Sequence, residues 1–318
     1  MKLSACLDDY VSYRRSLGVC FHGEQVRLRT FGRMMGDIDV AEVQPEAVRR
    51  YLEGTGPITT HWLVKYHTLT GFFRFAIARG QAVSSPLPTS KPRPPAKLVP
   101  YIYSVAEMQK LLRAADERLE EDCLVRPTTF RTLLLLLYGT GLRISEALAL
   151  NVGEVDLQER VLTIRETKFY KSRLVPIGDD LHGLLLRYRR NQPQAKPAED
   201  QPFLVDRAGR RILRQTAELV FKRIREYIGL RRPPEFKFHP RLHDLRHTFA
   251  VNRLVSWYQE GKNVQRLLPH LSTYLGHGSI RETQNYLALT SELAQEAGLR
   301  FLAYALPKNQ PATSHGPD

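Results

Sequence analysis

Leu275-Gly276-His277-Gly278-Ser279-Ile280-Arg281-Glu282-Thr283-Gln284-Asn285-Tyr286 sets a tyrosine nine residues after a histidine that stands between two glycines. Two earlier segments, Gly141-Leu142-Arg143-Ile144-Ser145-Glu146 and His243-Asp244-Leu245-Arg246-His247, supply arginines and imidazoles. A phenol of pKa near ~10 is only about 0.1% ionised at neutral pH. It becomes a useful nucleophile when something takes its proton and stabilises charge on its target. In a helix, His243, Arg246 and His247 fall at i, i+3 and i+4 and share one face, just after Pro240. That face lies at a helix N-terminus, where free N–H groups and the helix dipole attract a phosphate and an arginine adds a two-pronged donor. Arg143 holds the equivalent place after its own glycine turn. Two guanidiniums on one phosphoryl group would neutralise its non-bridging oxygens in a pentacoordinate transition state without a metal. The expected target is therefore a phosphodiester.

Composition supports that reading. The 318 residues include 47 Lys and Arg against 33 Asp and Glu, a formal charge of +14 that favours a polyanionic partner. With 42% hydrophobic and 25% charged residues the chain is globular, and its length suits two domains with cores of their own. Cys6, Cys20 and Cys123 are odd in number and in no metal-ligand spacing, which fits free thiols in a reducing compartment. The leucine run from Leu133 to Leu137 is far shorter than the ~20 apolar residues of a membrane span, and the N-terminus lacks a signal pattern. The expectation is a soluble, cytoplasmic protein without a membrane partner.

A proline-rich stretch over 84–100 divides the chain; it holds Pro86, Pro88, Pro92, Pro94, Pro95 and Pro100 and resists helix and sheet alike. Extended at ~3.3 Å per residue, a segment of that length reaches on the order of 50 Å, enough to let two domains grip opposite sides of a duplex. Upstream, over 1–83, apolar spacing predicts four helices at 7–17, 25–35, 45–52 and 59–79. Arg14, Arg15, Arg27, Arg29, Arg33, Lys65 and Arg74 in this region are candidate phosphate contacts, with a solvated helix face as the plain alternative. Downstream, Ser104-Val105-Ala106-Glu107 is a capping-box pattern. A second helix begins at Pro127 and stops at Gly139-Thr140-Gly141. Segments 161–164 and 173–177 read as two strands around a polar turn holding Lys168 and Lys171. Helices follow over 216–227, 243–257 and 280–289, and 307–318 reads as a disordered tail. The fold class is mainly α with a small antiparallel sheet.

Taken together, these motifs resemble the tyrosine recombinase (phage integrase) family over roughly residues 101–305, within a catalytic domain of 101–306. The resemblance implies an N-terminal helical, SAM-like core-binding domain and a C-terminal catalytic domain. It implies Arg143 and Arg246 as the phosphate clamp, His243 as the proton acceptor, His277 as a transition-state hydrogen-bond donor and Tyr286 as the nucleophile. Glu146 and His247 would support the site. Lys168 stands at the position of the general acid, but Phe169 replaces a frequent glycine and Lys171 is close by, so either lysine fits. The chemistry needs such an acid, because the departing deoxyribose oxygen is a poor leaving group as an alkoxide. The implied activity is site-specific cleavage and rejoining of double-stranded DNA through a 3′-phosphotyrosine, with no cofactor, metal or ATP. The setting would be mobile-element integration, excision or transposition. An apolar stripe of Leu293, Ala294, Ala297, Phe301, Leu302 and Ala305 would dock on a neighbouring subunit, in a homotetramer on DNA or a mixed assembly with related recombinases, or fold back on its own domain.

Three other readings stand beside this one. His239, His243 and His247 recur every four residues as in a metal site, but no carboxylate or cysteine ligand accompanies them and His239 precedes Pro240. A DNA-binding protein without catalysis would not need the full set of reactive side chains. A type IB topoisomerase would share the phosphotyrosine chemistry, although the proline-rich linker and small helical N-terminal domain suit a recombinase better.

Overall fold

The computed structural model describes residues 1–288 apart from 20, 57, 94–98, 120–122, 166–171, 193–197, 234, 235 and 237. Lys168, Lys171, the 293–305 stripe and the 307–318 tail thus lie outside the described residues. The chain divides into two compact units, Met1–Leu98 and Val99–Asp318.

The first unit holds four helices: α1 (Leu3–Ser16), α2 (His22–Met35), α3 (Pro45–Glu53) and α4 (Thr60–Ala78). Local chemistry fixes their ends. Pro45 opens α3 where a missing N–H costs nothing, and Gly54 closes it at φ 66°. The Thr59 hydroxyl accepts the His61 N–H at the start of α4. Leu3, Leu28, Phe31, Leu69, Phe72 and Phe73 form the core, each no more than 1% exposed. The proline-rich stretch does not hang free at its start: Leu87 packs on this core and the Tyr66 hydroxyl donates to Pro88 O at 3.2 Å.

In the second unit, Ser104 and Glu107 close the expected capping box on α5 (Val105–Arg118). The next helix, α6 (Pro127–Thr140), is the one around which this unit is built. Phe130, Leu133, Leu134, Leu136 and Leu137 are all buried, so it is apolar on nearly every side. Helices α5, α8 (Asp179–Arg190) and α10 (Asp244–Gln259) pack against it. Gly141 ends α6 in the left-handed region, where a Cβ would sit 2.5 Å from Phe249 Cδ1. The turn leads into the short α7 (Ile144–Ala149). Strands β1 (Val155–Asp156), β2 (Val161–Ile164) and β3 (Arg173–Pro176) form an antiparallel sheet in that order, with Leu162 opposite Val175 and both buried. Helices α9 (Arg214–Tyr227), α11 (Val264–Leu275) and α12 (Ile280–Gln284) complete the unit.

Four elements depart from the sequence reading, one of them β1, a third strand where the sequence predicts two. Helices α8 and α11 were not anticipated, and α11 contains Pro269. The single helix expected over 280–289 is instead the five-residue α12 followed by a 3-10 turn, Asn285–Ala288. No described helix is long and apolar enough to cross a membrane.

Candidate active site

Each reactive side chain sits at an end of an element. Arg143 is the residue before α7, placed by the Gly141 turn, and Glu146 lies in the first turn of α7. His243 precedes α10, with Arg246 and His247 in its first turn. Gly276 ends α11 at φ 65° and His277 follows it; Tyr286 rides on the 3-10 turn after α12. These ends, distant in sequence, meet in one place.

Glu146 lies between two guanidiniums. Its Oε1 accepts Arg143 Nη1 at 2.7 Å and Arg173 Nη1 at 3.1 Å; its Oε2 accepts Arg173 Nη2 at 2.7 Å and the Arg143 backbone N–H at 2.9 Å. Burial alone would push this carboxyl up, but the hydrogen bonds from Arg173 and Arg143 and the charge of Arg173 hold it down at about 2. Arg246 is 2% exposed and donates to Gly141 O at 2.9 Å and to Leu275 O at 2.7 Å. Burial and the nearby Arg143 charge lower it to about 10, which still leaves it cationic at neutral pH. It has no carboxylate partner among the described residues. Two guanidiniums thus share one carboxylate and a third stands near them without one of its own, an arrangement that favours binding an anion.

The Tyr286 ring is buried, 5.5 Å from that of His247 and stacked 5.9 Å from that of His277. Its hydroxyl lies 3.2 Å from His247 Nδ1. Burial raises the phenol, and the Arg246 charge pulls against that rise. His277 Nδ1 meets the buried Thr283 hydroxyl at 2.7 Å, which orients its ring. His243 packs edge to face on His247 at 4.9 Å and lines a groove of about 500 Å³ with Arg143, Arg214, Lys222, Arg225 and Arg241. A buried phenol, imidazoles and a cationic pocket in one site are what a tyrosine nucleophile aimed at a phosphate requires.

The chain belongs to the phage integrase family. The family's sequence model, "Phage integrase family", matches residues 104–292. Over 300 residues the chain is 35% identical to y4rB of Sinorhizobium fredii, which carries a provisional integrase/recombinase designation, covering 93% of this chain and 95% of that one. It is 33% identical over 232 residues to the tyrosine recombinase XerD of Mycobacterium tuberculosis, covering 71% and 68%. Among solved structures, the Tn1549 transposon integrase in complex with transposon right end DNA superposes with a TM-score of 0.68 at 18% identity, covering 95% of this chain and all of that one. A lambda integrase dimer bound to a COC′ core site gives 0.64 at 18% identity, covering 91% and 78%. These two likenesses concern the fold. The activity of this tyrosine recombinase family is the cleavage and rejoining of DNA strands.

The structure brings together Arg143, Glu146, His243, Arg246, His247, His277 and Tyr286. In this arrangement His247, rather than His243, touches the tyrosine hydroxyl. Sequence reasoning passed over Arg173 and Thr283. Among the described residues no three His, Cys, Asp or Glu side chains gather to hold a metal ion. In the first unit the basic candidates split into two groups. Lys65 donates to Tyr51 O at 2.7 Å and lies over the Tyr51 ring, Arg27 bonds Thr68 and pairs with Glu24, Arg14 lies over Phe21, and Arg15 donates to Gln25. Arg29, Arg33 and Arg74 are exposed.

Burial, reinforced by neighbouring cations, lowers His243 and His247 to about 4 and His277 to about 3, so all three imidazoles are neutral at pH 7. An unfolded histidine titrates near ~6.5 and takes up protons first as pH falls. The stability these groups contribute is therefore complete above about pH 6.5 and lost progressively toward pH 4. Thermal unfolding should show a melting temperature that is level from pH 8 to 6.5 and drops below that. A His277→Gln variant should show a shallower drop; an equally steep one would place the acid sensitivity elsewhere.

Proposed function

We propose that this recombinase uses Tyr286 to cleave and rejoin double-stranded DNA at defined sites, integrating, excising or transposing a mobile element. In the forward step the Tyr286 oxygen bonds to the scissile phosphorus as the P–O5′ bond breaks. The products are a 3′-phosphotyrosine and a free 5′ hydroxyl. Arg143 and Arg246 hold the non-bridging oxygens, His277 donates a further hydrogen bond, and a neighbouring imidazole, His243 or His247, takes the phenolic proton. Lys168 or Lys171 gives its proton to the departing oxygen. One phosphoester replaces another, so rejoining to a different strand needs neither ATP nor a metal. The observation that carries this reading is the single site in which a tyrosine hydroxyl lies within 3.2 Å of an imidazole and close to the charge of Arg246, which has no carboxylate partner among the described residues, while Arg143 and Arg173 share one carboxylate.

Under this reading residues 1–83 form a DNA-clamping core-binding domain, 84–100 a tether and 101–306 the catalytic domain. The exposed Arg29, Arg33 and Arg74 are the stronger phosphate-contact candidates of the first domain, because Lys65 and Arg27 already serve internal partners. The assembly is a tetramer on DNA, of this chain alone or with related recombinases, working in the cytoplasm. The likeness to y4rB, an integrase/recombinase by name, supports the integration setting.

Covalent trapping tests the reading. A binding site is selected from a random duplex pool, nicked near its centre and incubated with the protein in excess chelator. A denaturing gel should show a protein–DNA adduct whose modified peptide contains Tyr286. Tight binding with no adduct would leave a DNA-binding protein without catalysis.

A further inference from the structure

Tyr274, Leu275 and Gly276 offer three successive backbone carbonyls to three different arginines. Tyr274 O accepts Arg173 Nε at 2.9 Å, Leu275 O accepts Arg246 Nη2 at 2.7 Å, and Gly276 O accepts Arg143 Nη2 at 2.8 Å. These carbonyls belong to the end of α11, where a helix leaves its last C=O groups without intrahelical partners and the dipole favours cations. The segment so pinned leads directly into His277.

Arg173 differs from the other two. Its Nε is spent on Tyr274 O, and both terminal nitrogens are spent on Glu146, so its guanidinium faces protein on each edge. The side chain is only 10% exposed, and it fills the space beneath Gly276, where a Cβ would meet Arg173 Nη1 at 2.7 Å. Gly276 also holds φ at 65°, so neither the bend nor the arginine beneath it leaves room for a side chain. With Nε engaged as well as both terminal nitrogens, Arg173 has less to offer a phosphate than Arg143 or Arg246. It can decide what Glu146 does.

Glu146 has one negative charge to share. Bonded to Arg173 as well as to Arg143, it orients Arg143 without neutralising it fully. Released from Arg173, it would turn both oxygens to Arg143 and form the two-pronged pair that guanidiniums and carboxylates prefer. Arg143 would then have less charge and fewer free N–H groups for a phosphate. Resting on the reading of Tyr286 and the two clamp arginines given above, we propose that Arg173 is a positioning residue for strand cleavage: it draws Glu146 off Arg143 and ties the His277 segment to the sheet.

The test measures single-turnover adduct formation and DNA affinity separately, on the selected nicked duplex. Arg173→Met should slow cleavage by about 10²-fold, the scale of a misplaced catalytic group, while the Kd for DNA stays within about threefold of wild type. Adding Glu146→Gln to Arg173→Met should recover at least about tenfold of that loss, because removing the carboxylate charge frees Arg143 again. A purely structural role predicts the opposite, since the double variant removes two members of the network. Arg173→Lys keeps a cation for Glu146 but loses the arm to Tyr274 O, and should fall between wild type and Arg173→Met. It also serves if Arg173→Met does not fold. Wild-type protein that binds the duplex but forms no adduct would overturn the nucleophile reading itself. An active wild type with variants within threefold of it, or a double variant slower than Arg173→Met, would overturn the role of Arg173 alone.

Discussion

Tyr286→Phe is expected to bind the selected duplex within about threefold of wild type and to form no covalent adduct, a fall of roughly 10⁴-fold or more of the kind seen on removing a nucleophile. The substitution is conservative for the fold. The ring lies 4% exposed in a cluster with Phe249, Leu271 and Leu275, and phenylalanine keeps that packing. What is lost is one hydrogen bond, between the phenol oxygen and His247 Nδ1, worth about 1 kcal/mol net. Stability and chemistry therefore separate by orders of magnitude. The phenol is also poorly acidic in its buried position, so it depends on the Arg246 charge and on an imidazole held neutral to be useful. Comparing His247→Asn with His243→Asn would show which ring takes the proton. An adduct that persists in Tyr286→Phe would move the nucleophile to another residue.

The parts of this site that the sequence discloses are those with local signatures. Ser104 and Glu107, Pro127 with Gly141, and the spacing of His243, Arg246 and His247 each carry their reason within a few residues, and the structure places them accordingly. Arg173 carries no such signature. In the sequence it is the first residue of a strand, and only folding brings Glu146, 27 positions away, and Tyr274 O, 101 positions away, to its guanidinium. Thr283 is hidden for the same reason: a threonine in a short helix reads as filler until His277 Nδ1 is found 2.7 Å from its hydroxyl.

The two unanticipated helices were obscured by local breakers that tertiary packing overrides. In α11, Pro269 forfeits a hydrogen bond, yet Val264, Leu268, Leu271 and Leu275 bury one face of the helix. In α8, Gly183 weakens the pattern, while Leu185 and Tyr188 are held in the core beside α6. The opposite failure occurs after Ser279. A good capping residue opens α12, but the regular helix lasts five residues before tightening into the 3-10 turn that presents Tyr286. A side chain on such a turn is not placed by the 3.6-residue period of a regular helix.

Replacing Arg246 should produce the second large effect, and the competing terms make its pattern specific. The guanidinium bridges Gly141 O, at the end of α6, and Leu275 O, at the end of α11. Losing both bonds leaves two buried carbonyls unpaired, at about 1–3 kcal/mol each. Against that, the change removes a buried cation that has no carboxylate partner among the described residues and is repelled by Arg143. For Arg246→Met these terms largely offset, and unfolding should show a net loss of no more than roughly 2 kcal/mol. Under the proposed mechanism cleavage has no such offset, because the charge that destabilises the resting site is the one assigned to stabilise the phosphoryl transition state. The adduct rate should fall by about 10³-fold or more, the range associated with a single transition-state arginine. Arg246→Lys should recover little of it: an ammonium restores the charge but cannot bridge both carbonyls while presenting two parallel N–H groups to a phosphate. A cleavage rate within tenfold of wild type in either variant would remove Arg246 from the clamp, and a stability loss well above 2 kcal/mol in Arg246→Met would mean that the two carbonyl bonds outweigh the buried charge.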